Sequence, residues 1–175
     1  MKRIQVLLGV LLLSALCAAA QNIPLLDKVP GHRVTFDYVY GYTSEGKTYD
    51  NVASGQMTVQ GNAYILKADG LEVISDGKVR WSLDRSAKEA LIDAVDGEDI
   101  VSNPAAIVAS YKEFGKALKV NASGADSLDV SLTMEDGTVG RFKLTRIQFH
   151  PEGAAADFTV SRGDLGKDWV VTDLR

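Results

Sequence analysis

Val34-Thr35-Phe36-Asp37-Tyr38-Val39-Tyr40-Gly41-Tyr42 sets Val34, Phe36, Tyr38, Tyr40 and Tyr42 at every second position, with Thr35, Asp37, Val39 and Gly41 between them. A period of two puts the first set on one face of a strand. A turn over 43–47 containing Gly46 leads to a longer strand over 48–60. Gly55 within that strand predicts a bulge or a close backbone approach. Gly61-Asn62 then separates it from Ala63-Tyr64-Ile65-Leu66-Lys67, a hairpin signal. Asp69-Gly70 and Asp76-Gly77 bracket a strand over 71–75, and another follows over 78–83. In the latter, Val79, Trp81 and Leu83 share one face while Lys78, Arg80 and Ser82 share the other, as in a sheet with one dry and one wet side. Residues 90–94 continue the meander.

Ser102-Asn103-Pro104 marks a change of period. Asn103 is a helix cap, Pro104 suits the first helical position, and Gly115 supplies a stop after Phe114. Ile107, Tyr111 and Phe114 fall at i, i+4 and i+7 with Val108 beside them, which predicts one amphipathic helix. Strands resume over 117–122, 128–134 and 139–149, the last two joined at Glu135-Asp136-Gly137; 157–160 and 169–174 read as closing strands. The expected fold is mainly β with one or two helices, the strands antiparallel. Alternating β-α-β units, which would build a parallel sheet, are absent.

The chain has 175 residues, 46% of them apolar, and suits one domain. Its formal charge of −4 argues against nucleic acid, because reading phosphates needs an excess of Lys and Arg. Lys2-Arg3, an apolar run over 6–16 and Ala18-Ala19-Ala20 form the pattern of a cleavable secretory signal over 1–20. The remaining 21–175 is then a single exported domain, placed in the periplasm. Cys17 offers a competing lipid-attachment site, against which stands the bulky Leu16 before it. No stretch reaches the roughly 20 apolar residues that span a bilayer.

With one Cys and two His, the chain has little material for a zinc site or a disulfide framework, and no cofactor is expected. His32 and His150 each sit beside Gly or Pro at a strand end and read as exposed turn residues. Neither a Gly-x-Ser-x-Gly elbow nor a phosphate-binding glycine loop occurs. Asp93, Asp96, Glu98 and Asp99 lack the ligand spacing of a calcium loop and read as a solvated acidic turn. The surplus lies in apolar and aromatic side chains. Core packing accounts for any one of them, but a long sheet closed against one short helix has more apolar surface than the helix covers. That leaves room for an apolar ligand.

At Ile74-Ser75-Asp76-Gly77-Lys78-Val79-Arg80-Trp81-Ser82-Leu83-Asp84 the Ser-Asp-Gly-Lys-x-x-Trp hairpin resembles the periplasmic carriers of outer-membrane lipoproteins, the LolA type. The opening strand, the capped helix near Asn103-Pro104 and the tail Val170-Val171-Thr172-Asp173-Leu174-Arg175 agree in order. The resemblance implies a LolA/LolB-like antiparallel half-barrel with a helical lid. It further implies a monomeric, non-enzymatic carrier of lipoprotein acyl chains or other lipid. Such a carrier is loaded by an inner-membrane lipoprotein transporter and unloaded onto an outer-membrane acceptor. Phe36, Tyr38, Tyr40, Tyr64, Leu66, Trp81 and Leu83 would line the sheet wall, and Ile107, Tyr111 and Phe114 the lid. The family's long N-terminal helix is reduced here to Ile23-Pro24-Leu25-Leu26-Asp27-Lys28-Val29, and its Arg-Pro segment before the Asp-Gly-Lys hairpin is replaced by Gly61-Asn62-Ala63-Tyr64.

Two other functions fit the same residues. One is an exported interaction module with a filled β core, acting on a protein partner through its acidic surface. The other, ranked last, is a hydrolase built on two carboxylates.

Overall fold

A computed structural model describes residues 23–95 and 105–175. The signal-like stretch 1–20 with Cys17, the cap Asn103-Pro104, and Asp96, Glu98 and Asp99 lie outside the described residues. Ten strands form one open sheet: β1 (His32–Ser44), β2 (Lys47–Gln60), β3 (Ala63–Ala68), β4 (Leu71–Ser75), β5 (Val79–Asp84), β6 (Glu89–Ala94), β7 (Leu118–Gly124), β8 (Ser127–Thr133), β9 (Val139–Pro151) and β10 (Val170–Asp173). Their order is β10-β6-β5-β4-β3-β2-β1-β9-β8-β7. The expected mainly β, antiparallel, open architecture is therefore what forms, with few and short helices.

The turns follow their residues. Asp76 Oδ1 accepts the backbone N–H of Lys78 and of Val79, each at 2.8 Å, while Ser75 Oγ accepts that of Gly77 at 3.1 Å. The acid at this hairpin is turn chemistry. Gly55 allows a close approach: a Cβ there would lie 1.9 Å from the Lys67 carbonyl oxygen on β3. The bulge itself falls elsewhere, opposite Gly41, where β2 carries extra residues around Asn51 at φ 52°.

Three expectations are corrected. The single helix ending at Phe114 is instead one α-turn, α1 (Ala106–Ala109), then 3-10 turns over Tyr111–Ala117. The chain leaves helical geometry at Ser110, and Gly115 bends it again at φ 51°, ψ −126°. The i, i+4, i+7 stripe survives because short turns bury the same side chains, whereas a helix this short has little stability of its own. The strand over 157–160 is replaced by a 3-10 turn at Ala155–Phe158. Finally, β10 runs parallel to β6. β9 and β10 point the same way, so the chain between them crosses the sheet before it can pair again.

Register shows that the sheet has two dry faces. Val34, Val59, Tyr64 and Ser75 are successive partners across β1 to β4, and Ser75 pairs with Arg80 on β5. Paired residues share a side, so Arg80 and Ser82 continue the face of Phe36 and Tyr38. Trp81 and Leu83 therefore point to the other face. One core spans β7, β8, β9, β1, β2 and β3 beneath α1 and the 3-10 turn Leu26–Lys28. A second core, Trp81, Leu83, Ala90 and Ile92, packs against Ile74, Val160, Leu165, Trp169 and Val171. β4 joins them, with Val73 packed on the first and Ile74 on the second.

The crossing segment is pinned by Arg33 and Gln60. Arg33 reaches Asp157 at 2.8 Å and donates to the Ala154 carbonyl at 3.3 Å, with its guanidinium 5.0 Å from the centre of the Phe158 ring. Gln60 accepts the Gly153 N–H at 3.0 Å and donates to its carbonyl at 3.1 Å.

Candidate functional site

The first core contains an apolar cavity of ≈ 40 Å³ between sheet and cover, lined by Phe36, Tyr38, Met57, Leu66, Ile107, Val108, Phe142 and Leu144. Its floor comes from alternate residues of β1, β2, β3 and β9, and its roof from α1. Ligand sites usually measure ~300–1,000 Å³, so with the cover in this position the cavity is too small for an acyl chain.

Among the sequence-predicted wall residues, Phe36, Tyr38, Tyr40, Tyr64 and Leu66 come together in this core, as do Ile107, Tyr111 and Phe114 of the cover. Trp81 and Leu83 do not; both are buried in the second core, on the opposite side of the sheet. Their strand has the alternation that sequence showed, but its dry side faces the crossing segment. Met57 and Leu144 were missed, although Met57 stands two residues from Val59 and the same period of two marks it.

The wall changes character at β5. Arg80 Nε and Nη2 donate to the two carboxylate oxygens of Asp93 at 2.9 and 3.0 Å. A hydrogen bond from Arg80 also reaches the Tyr64 hydroxyl. Burial raises the Tyr64 pKa and the guanidinium pulls it partly back; bonding to Asp93 raises that of Arg80. This neutral, bidentate pair closes the apolar surface on one side. Burial also raises the pKa of Tyr38 and of Tyr40, so these phenols are neutral at physiological pH.

The cover is held to itself as well as to the sheet. The Tyr111 hydroxyl donates to Asp27 Oδ1 at 2.7 Å, and Lys112 Nζ lies 2.7 Å from the same oxygen. The Ile23 N–H donates to the Tyr111 hydroxyl at 3.4 Å. These contacts tie the segment before β1 to the segment before β7. The bonds from Lys112 and Tyr111 lower the Asp27 pKa, and the bond to Asp27 raises that of Lys112.

His32 and His150 lie on the surface, His32 edge-on to Phe149 at 5.8 Å and His150 Nε2 3.2 Å from Thr35 Oγ1. Among the described residues no cluster of three or more His, Cys, Asp or Glu is arranged to hold a metal ion. Among them, too, no helix is long and apolar enough to cross a membrane.

No protein-family model and no curated protein matches the chain. Among solved structures, the LolA superfamily protein NE2245 from Nitrosomonas europaea is similar over 78% of this chain and 96% of its own, at 11% identity and a TM-score of 0.44.

Proposed function

We propose that the protein is an exported, non-enzymatic carrier that shelters acyl chains of lipoproteins or other lipid between the sheet and its short helical cover. It would take them from an inner-membrane transporter and release them to an outer-membrane acceptor. The observation that carries this reading is the apolar cavity itself, roofed by one α-turn that has no side-chain cap at its N-terminal end. Physically, loading exchanges one apolar surface for another. Lifting Ile107, Val108 and Tyr111 off the sheet costs roughly 5–9 kcal/mol, at about 1.5–3 kcal/mol per buried side chain. About ten sheltered methylenes, at ~0.8 kcal/mol each, offset that cost. No bond is made or broken, so transfer needs only a cover that opens.

The small volume of the cavity favours a second reading, an exported interaction module whose β core is simply full. Native mass spectrometry of the protein isolated from the cells that make it separates the two. The carrier reading predicts co-purifying lipid or lipoprotein, or uptake of added fatty acid by the emptied protein. A bare chain that takes up no fatty acid would support the interaction module.

A further inference from the structure

Four aromatic rings lead out of the cavity. Phe142 lines it; the Tyr40 ring lies 4.8 Å from Phe142, Tyr42 is stacked 6.2 Å from Tyr40, and Tyr49 is stacked 4.8 Å from Tyr42. Phe142, Tyr40 and Tyr42 are half-buried, and Tyr49 at the end of the line is 44% exposed. Phe142 is on β9, and the three tyrosines belong to the distal part of the β1–β2 hairpin, where β2 has run beyond β3, which pairs with it only over 55–60. Gly41 and the bulge opposite it set this geometry: a Cβ at Gly41 would lie 2.6 Å from the Tyr49 carbonyl oxygen. The bulge keeps Tyr42 and Tyr49 directly paired and on the side of Tyr40.

The other end of the same face is shut. Leu26 and Val29 are 4% and 3% exposed, Val34 is fully buried, and the Asp27–Tyr111–Lys112 contacts hold the cover down.

We infer that Tyr40, Tyr42 and Tyr49 form the loading ramp, the route by which an acyl chain enters and leaves the cavity. The inference rests on the carrier reading and specifies which end of the site opens. The occupant is a lipid acyl chain. Its methylenes slide over ring faces while the phenol hydroxyls remain able to meet its polar end. A ramp touched only in passage stabilises the route rather than the bound state, so its loss slows entry and exit together.

The test is stopped-flow uptake and release of parinaric acid, a fluorescent fatty acid, by the unaltered chain and by a Tyr42→Ala/Tyr49→Ala variant. Both rates should fall by about two- to tenfold, the size expected from losing aromatic contacts, with the equilibrium affinity little changed. Tyr49→Phe should keep the normal rates, and so should His32→Ala at the shut end. Unaltered rates in the double variant would overturn the ramp while leaving the carrier reading intact. Failure of the unaltered chain to bind the probe would overturn both.

Discussion

Gly55 and Gly115 are both required, for different reasons. At Gly55 the obstacle is space, since a Cβ would meet the Lys67 carbonyl. At Gly115 there is nothing within 4 Å, but φ is +51°, which an L side chain resists. Gly115→Ala should therefore lower stability by about 1–3 kcal/mol through the backbone alone. Gly55→Ala should cost more, because two strands must part. Urea unfolding midpoints test the ranking. The Asp27 contacts make a separate prediction. Asp27 has a lowered pKa, so its contribution is present above the ordinary carboxylate range and is lost as pH falls through the lowered value. Lys112 has a raised pKa, so its contribution is present below the ordinary lysine range and is lost as pH rises through the raised value. The contacts should hold across neutral pH and fail at both extremes. Tyr111→Phe should speed amide exchange in 23–29 and 105–117 at neutral pH, and exchange unchanged from the unaltered chain would show that the contacts do not hold the cover.

Among the elements, β4 and β5 matter most, because the dry side of the sheet changes there. Side chains alternate, so a strand's pattern shows that it has a dry face but not which neighbour covers it. Trp81 and Leu83 do share one face, as their alternation implies, but that face is covered by the crossing segment and belongs to the second core. Leu71, Val73 and Ile74 on β4 carried the only local hint, since apolar residues on both sides suit a strand between two cores. The strands themselves were legible through alternation and the turn pairs Gly61-Asn62, Asp69-Gly70 and Asp76-Gly77. The cover was not, because Ile107, Tyr111 and Phe114 satisfy a helix and a series of short turns equally. The placement of the two cores has a measurable result. Leu83→Ala should destabilise the protein by about 2–5 kcal/mol yet leave fatty-acid uptake per folded molecule unchanged. Leu66→Glu, on the cavity wall, should abolish uptake. Equal loss of uptake in both would mean that the two cores act as one site.

At the scale of the whole molecule, one sheet keeps two cores apart. The crossing segment and β10 close the second core, where Trp81 and Trp169 both lie, while α1 and the segment before β1 close the first. The parallel pairing of β10 with β6 was not readable in 170–173, because nothing local specifies a partner so distant in sequence. It places both tryptophans across the sheet from the cavity, which makes them an internal control. The most direct test of acyl binding on the first face is quenching of tryptophan emission by dibromostearic acid. In a Phe142→Trp variant the new indole lines the cavity and its emission should be quenched on binding. In the unaltered protein, emission from Trp81 and Trp169 should stay constant at the same ligand concentration. Quenching of the native tryptophans, or none in the variant, would contradict the account.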